Sequence, residues 1–161
     1  MKRLMFVCLG NICRSPLAQG VFVSLAREAG VAAQFEVESS GLGSWHTGEQ
    51  VDRRMRATAA SHGIDLDHRA RQIAAEDLER YDLIIVMEPG QKQELQRLLR
   101  DPGAAKKIRV FREWDPVGGA NAEVPDPYYG GDSGFERVYE IVERTCRALL
   151  DYLLAEEREV V

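Results

Sequence analysis

An α/β fold, with one parallel sheet held between two layers of helices, is what this sequence predicts, and three observations lead there. Leu4-Met5-Phe6-Val7 and Leu83-Ile84-Ile85-Val86-Met87 are unbroken apolar runs too short for helices. Such runs read as strands covered on both faces, the condition of a parallel sheet. Stretches with helical spacing of apolar residues lie between and after them, and alternation of strand and helix implies right-handed crossovers. Finally, Cys8 to Arg14 forms a loop between the first strand and a helix start. Chemistry is thereby placed at the carboxyl end of a strand, where open α/β sheets carry their sites.

In chain order, the first helix covers Leu17 to Ala29, with Leu17, Val21, Leu25 and Ala29 on one face and Gly30 closing it. Ser15 suits its N-cap and Pro16 its first helical position. Phe35-Glu36-Val37-Glu38 reads as the second strand, and Val51 to Ser61 as a helix ending near Gly63. After the Leu83–Met87 strand a helix runs from Gln91 to Arg100, stopped by Asp101-Pro102-Gly103. Ile108-Arg109-Val110-Phe111 is the fourth strand. The final helix spans Phe135 to Leu154, with Phe135, Val138, Ile141, Val142, Leu149 and Leu153 near one face. One domain over residues 1–155 results, with a frayed acidic tail over 156–161.

The loop Cys8-Leu9-Gly10-Asn11-Ile12-Cys13-Arg14-Ser15 carries the chemistry. Backbone N–H groups in a tight strand–loop–helix turn point inward and make an anion-binding nest, aided by the positive helix end. Gly10 and Asn11 are the loop residues that best tolerate positive φ. Arg14 adds a planar fork for two oxygens of a phosphoryl group. The same field stabilises a thiolate, so Cys8 is expected to ionise in the lowered range of roughly 3.5–7.5. A nucleophile at the base of a phosphate trap points to ester cleavage through a phosphocysteine. Asp126, between Pro125 and Pro127, reads either as an ordinary turn residue or as the acid that protonates the departing oxygen.

Several other classes are disfavoured. Zinc would need two ligands besides Cys8 and Cys13, and Cys146, His46, His62 and His68 do not stand at a suitable spacing. A nucleotide P-loop ends in Gly-Lys-Ser/Thr, where Cys13-Arg14-Ser15 stands here. The apolar run after Lys2-Arg3 is too short for a signal peptide. A net charge of −5 over 161 residues draws the chain to neither nucleic acid nor anionic lipid. No apolar stretch approaches the ~20 residues of a membrane span. Three cysteines do not make a secreted disulfide framework, which points to a cytoplasmic protein with reduced thiols.

Val7-Cys8-Leu9-Gly10-Asn11-Ile12-Cys13-Arg14-Ser15-Pro16 resembles the phosphate loop of the low-molecular-weight protein tyrosine phosphatases. Asp126-Pro127-Tyr128-Tyr129-Gly130 resembles their general-acid loop, and His68-x-Ala70-Arg71-Gln72 the stretch after their second helix; the likeness runs from about Arg3 to Leu154. The resemblance implies a single three-layer domain with a four-stranded parallel sheet and the phosphate loop after strand 1. It implies Cys8 as nucleophile, Arg14 as phosphate holder, and Asp126 as general acid and then base. Leu9, Gly10, Asn11, Ile12, Cys13 and Ser15 complete the loop, with Asn11, Ser15, Ser39 and His68 as its polar scaffold. Trp45, Tyr128 and Tyr129 would line the mouth against the substrate ring, and Cys13 would resolve an oxidised Cys8 as a disulfide. The implied substrate is a phosphotyrosine-containing protein or a small aryl phosphate, with inorganic phosphate as product and no metal or cofactor.

Three relatives in chemistry remain as alternatives. Protein-arginine phosphatases usually carry threonine where Ile12 stands, and isoleucine favours a flat phenyl ring. Arsenate reductases of this fold use cysteines after the third strand, where Met87-Glu88-Pro89-Gly90 has none. Phosphocysteine carrier domains lack the arginine and the acid. Glu88 stands where the phosphatases commonly have aspartate, a departure that bears on the hydrogen bonds around the loop.

Overall fold

The computed structural model describes residues 1–98, 102–119, 122–127 and 132–159. Four strands, β1 (Lys2–Cys8), β2 (Phe35–Gly41), β3 (Leu83–Val86) and β4 (Ile108–Val110), form one sheet in the order β2-β1-β3-β4, every pair parallel. Five α-helices are described: α1 (Arg14–Glu28), α2 (Arg53–Ser61), α3 (Ala75–Arg80), α4 (Pro89–Gln96) and α5 (Asp132–Glu159). Short 3₁₀ turns cover Ala32–Gln34, Pro102–Lys107 and Phe111–Trp114.

The side-chain period of two divides the buried strands between two cores. Leu4, Phe6, Leu83 and Ile85 join the α1, α2 and α5 side chains on one face. Met5, Val7, Ile84 and Val86 join Leu78 of α3 and Leu95 of α4 on the other. Both faces are covered, which is why β1 and β3 read as continuous apolar runs. The expected three-layer sandwich is therefore present, and α5 lays Phe135, Val138, Ile141, Val142, Leu149 and Leu153 into the first core as its spacing predicts. Phe6 sits at the centre of that core, with the Phe22 ring at 6.2 Å and the Phe111 ring edge-on at 5.6 Å.

Several boundaries differ from expectation. Helix α1 begins at Arg14, with Cys13 at the cap position and no side-chain cap bond. Ser15 is thus inside the first turn and is not the N-cap, because its hydroxyl is engaged with Cys8. Helix α3 has only six residues, too few for a periodic pattern; Asp77 steadies it by accepting from Ala74 N–H at 2.7 Å. Helix α4 starts earlier, at Pro89, and ends at Gln96, short of the expected Arg100, which itself lies outside the described residues. Helix α5 continues past Leu154 to Glu159, and Glu156 accepts from the Tyr152 hydroxyl at 2.9 Å.

Beside β1 the chain order reverses: β2 lies on one edge of β1, and β3 on the other. The crevice outside the carboxyl ends of β1 and β3 receives the Cys8–Cys13 loop and the Met87-Glu88 turn, as a topological switch point should.

Candidate active site

Three carbonyls of the loop after β1 are taken by N–H groups from outside it. Leu42 N–H donates to Cys8 C=O at 2.9 Å, Gly43 N–H to Leu9 C=O at 3.0 Å, and Asp52 N–H to Ile12 C=O at 2.8 Å. Turned the other way, Asn11 N–H points at Cys8 Sγ across 3.3 Å. The close approach of β2 to the loop requires Gly41, where an added Cβ would meet Asn11 N and Gly10 C at 3.1 Å. Asn11 takes the left-handed conformation, with φ of 60°. Gly10, the other residue expected to do so, does not; its missing Cβ instead admits His46 Cδ2, which would lie 2.9 Å away.

Asn11 is 1% exposed and holds the loop together through its amide. The backbone N–H of Arg71 donates to Oδ1 at 3.0 Å, so that atom is oxygen. His68 Nε2 lies 2.8 Å from the same oxygen and must therefore carry the proton. Burial and the neighbouring Arg71 charge push the His68 pKa below its usual range, which keeps this tautomer neutral. The other end of the amide donates to Ser15 Oγ at 2.8 Å and to Ser39 Oγ at 3.1 Å. Ser15 consequently accepts from Asn11 and has its own proton for Cys8 Sγ at 3.0 Å, with the Ser40 carbonyl a longer alternative at 3.3 Å. Two donors, one hydroxyl and one backbone N–H, thus meet at the Cys8 sulfur.

Arg14 is buried to 2% exposure and anchored on its far side. Its Nη1 donates to the Val124 carbonyl at 3.0 Å and pairs with Glu88 Oε1. Nη2 lies 3.7 Å from Asp126 Oδ2. Burial alone would lower the Arg14 pKa, but the negative groups around it, Cys8, Glu88 and Asp126, raise it, so the guanidinium keeps its charge. Glu88 stands two residues past the end of β3, where Gln91 Oε1 accepts from Met87 N–H at 2.9 Å and from Glu88 N–H at 3.2 Å. Val124 N–H donates to Met87 C=O at 2.9 Å. That bond lays the 122–127 segment across the end of β3 and brings Asp126 to the site.

A cleft of about 330 Å³ opens over these groups, lined by Cys8, Leu9, Gly10, Ile12, Cys13, Arg14, Trp45, His46 and Asp126. Trp45 lies at its rim, 70% exposed, and Leu9 beside it is 44% exposed. Ser39 and His68 stand behind the loop, while Tyr128 and Tyr129 lie outside the described residues. Cys13 is 4% exposed; burial above all, then the charge of Asp52, push its thiol far up. The sequence reading had no role for His46, Gln19 or Ser40. His46 pairs through Nδ1 with Glu49, and only its neighbour Trp45 signalled that this loop borders the cleft. Among the described residues no group of three or more His, Cys, Asp or Glu side chains could hold a metal ion.

This arrangement, a cysteine sulfur at a cleft that a buried arginine and an aspartate also line, has close parallels. Residues 3–159 match the family described as low molecular weight phosphotyrosine protein phosphatase. A low molecular weight protein-tyrosine-phosphatase of Streptomyces coelicolor is 45% identical over 149 residues, which cover 92% of this chain and 91% of that protein. A low molecular weight phosphotyrosine protein phosphatase of Sus scrofa is 38% identical over 151 residues, covering 93% and 94% of the two chains. A crystal structure of a protein tyrosine phosphatase from Entamoeba histolytica, with Hepes in its active site, superposes with a TM-score of 0.91 at 34% identity, over 98% of this chain and 99% of that one. Sequence and architecture agree along nearly the whole length, and the chain belongs to the low molecular weight phosphotyrosine protein phosphatase family.

Proposed function

We propose that this protein hydrolyses phosphotyrosine and small aryl phosphates through a phosphocysteine, with Cys8, Arg14 and Asp126 carrying the reaction. The observation that supports this best is the convergence on Cys8 Sγ of Ser15 Oγ at 3.0 Å and Asn11 N–H at 3.3 Å, inside the cleft that Arg14 and Asp126 also line. The Cys8 thiolate attacks phosphorus in line with the ester oxygen; the sulfur–phosphorus bond forms as the phosphorus–oxygen bond breaks. The leaving oxygen takes the proton of Asp126. Arg14 and the loop N–H groups hold the equatorial oxygens as their charge redistributes, an effect worth about 10²–10³ in rate per well-placed donor. Asp126, now a carboxylate, removes a proton from water, which attacks phosphorus and releases phosphate and the thiolate.

Ile12 in the cleft wall supports an aryl ester over a polar guanidinium phosphate. The substrate class is then a phosphotyrosine-containing protein, and the acting unit is the single domain of residues 1–155. Three free cysteines, all buried, fit a reducing compartment, and we place the protein in the cytoplasm. Among the described residues no helix is long and apolar enough to cross a membrane.

The test sets phosphotyrosine, phenyl phosphate, phosphoserine and phosphoarginine side by side, with a chelator present, for wild type and Cys8→Ser. Expected are turnover of the two aryl esters, phosphotyrosine preferred over phosphoarginine, no loss to the chelator, and no turnover by Cys8→Ser, which still binds phosphate. Turnover by Cys8→Ser rejects the phosphocysteine, and a preference for phosphoarginine rejects the aryl specificity.

A further inference from the structure

Gln19 lies on α1 one turn beyond Ser15 and is not among the residues that line the cleft. Its amide is nonetheless fixed at both ends. Nε2 donates to the Val37 carbonyl of β2 at 3.2 Å, and Oε1 accepts from Ser39 Oγ at 2.7 Å. A carbonyl can only accept, so Val37 decides which end of the amide faces Ser39. From these contacts, and resting on the phosphocysteine reading above, we infer that Gln19 is a positioning residue for the Cys8 nucleophile, acting through Ser39 and Asn11.

Ser39 has one hydroxyl proton, and it goes to Gln19, the shortest of its contacts. Ser39 Oγ can then meet Asn11 Nδ2 at 3.1 Å and His68 Nε2 at 3.3 Å only as an acceptor. That leaves His68 Nε2 protonated and donating to Asn11 Oδ1. The Asn11 amide is held with its nitrogen toward Ser15, and Ser15 is left to donate to sulfur. Without the Gln19 acceptor the Ser39 proton turns to His68 Nε2, which selects the opposite tautomer of the neutral ring. His68 then ceases to donate to Asn11. The Arg71 N–H alone orients the amide, and a turned amide would take the Ser15 proton that belongs to Cys8. A chain of this kind transmits direction as well as energy, since each hydroxyl can donate only once.

The experiment uses Gln19→Met, which keeps length and helix propensity but neither donates nor accepts as the amide does. The ¹⁵N shifts of His68 report the ring tautomer near neutral pH, independent of any reaction at Cys8. Wild type should show Nε2–H, and Gln19→Met should shift toward Nδ1–H. The kcat for phenyl phosphate should fall about five- to tenfold, the scale of one hydrogen bond with its coupled neighbours, while inhibition by inorganic phosphate stays within about twofold. In a Ser39→Ala background, Gln19→Met should add less than about twofold, because the path is already cut. Gln19→Ala, with the same expected results, replaces it if the methionine variant does not fold. An unmoved tautomer, an unchanged kcat, or the full loss persisting in Ser39→Ala would each overturn the assignment. Failure of the phosphocysteine reading is told apart, since turnover by Cys8→Ser would reject that reading while the tautomer shift would still be measurable.

Discussion

The side-chain oxygen of Asn11 accepts the backbone N–H of Arg71 at 3.0 Å, tying the loop after β1 to a segment 60 residues farther along the chain. Because a backbone N–H cannot accept, this bond favours one orientation of the Asn11 amide, with its oxygen toward Arg71 and His68 and its nitrogen toward Ser15 and Ser39. Asparagine is suited twice over. It tolerates the left-handed φ of 60°, and its amide offers one acceptor and two donors where four partners converge.

Asn11→Gly and Asn11→Ala separate these two roles. Glycine keeps the left-handed backbone but removes the amide, whereas alanine loses both. Both variants should lose about 10- to 100-fold in kcat, in line with an unsatisfied buried network. Only alanine should add the left-handed penalty, roughly 1–2 kcal/mol in unfolding free energy. Denaturant unfolding and steady-state kinetics check the pair. Full activity in Asn11→Gly would mean that backbone shape alone makes the loop work.

How much of this could be read from the chain depends on the range of the interaction. The two-faced burial of Leu4–Val7 and Leu83–Val86 is local, so the strands and the layer order follow from pattern. The Cys8–Arg14 spacing is local too. Contacts between segments far apart in the chain have no such signature. Nothing near Gln19 in sequence says that it meets Ser39, and nothing near Val124 says that its carbonyl receives Arg14. Ser15 is instructive: serine before proline is a sound N-cap signal, but here the hydroxyl is held in the site and the helix starts two residues earlier than Pro16, at Arg14. Glu88 was visible as a departure from aspartate; its pairing with Arg14 Nη1 was not.

Oxidation should be governed by Cys13. Peroxide converts the Cys8 thiolate to a sulfenic acid, and attack by a Cys13 thiolate forms the disulfide and releases hydroxide. Burial and Asp52 push the Cys13 thiol well above its ordinary value, so few thiolates are available at neutral pH. Disulfide formation should therefore rise nearly tenfold per pH unit between about 7 and 9, faster than the loss of activity itself. Quenched-flow mass mapping of the Cys8–Cys13 pair would follow it. A pH-independent disulfide rate, or recovery of Cys13→Ser from peroxide as complete as that of wild type, would remove Cys13 from this role.

Acid stability should reside in Asp115. Its buried carboxylate accepts from Arg112 Nε at 2.8 Å, Arg144 Nε at 2.9 Å and Val117 N–H at 2.9 Å, fastening the turn after β4 to α5. Burial alone would raise its pKa, but the bonds from Arg144, Val117 and Arg112 outweigh it and hold the group at about 2. A depressed carboxylate stabilises the fold above the unfolded value, and the contribution is lost as pH falls toward the folded one. The window runs from about pH 4 to about pH 2, and the contribution is on the order of 2 kcal/mol. Wild type should unfold at higher temperature than Asp115→Asn near pH 7, with the gap narrowing toward pH 2. An equal gap at both ends would place the stabilisation in packing instead.

Asp126 is best tested by the leaving group, because a general acid matters in proportion to how poor that group is. The side chain lines the cleft with its Oδ2 3.7 Å from Arg14 Nη2, so its loss removes a proton donor and also a negative neighbour of the phosphate holder. The two consequences point in opposite directions. Losing the donor should slow phenyl phosphate and phosphotyrosine by about 10²–10⁴, since a phenolate leaves poorly without its proton. Losing the negative charge should, if anything, tighten binding of a phosphate dianion beside Arg14. Nitrophenyl phosphate, whose leaving group departs without protonation, should therefore fall far less in kcat in Asp126→Ala, while its KM stays level or drops. A Brønsted plot of kcat against leaving-group pKa, shallow for wild type and steep for Asp126→Ala, is the expected measurement. Equal losses for good and poor leaving groups would return Asp126 to the role of a turn residue between two prolines and send the search for the acid to another wall of the cleft.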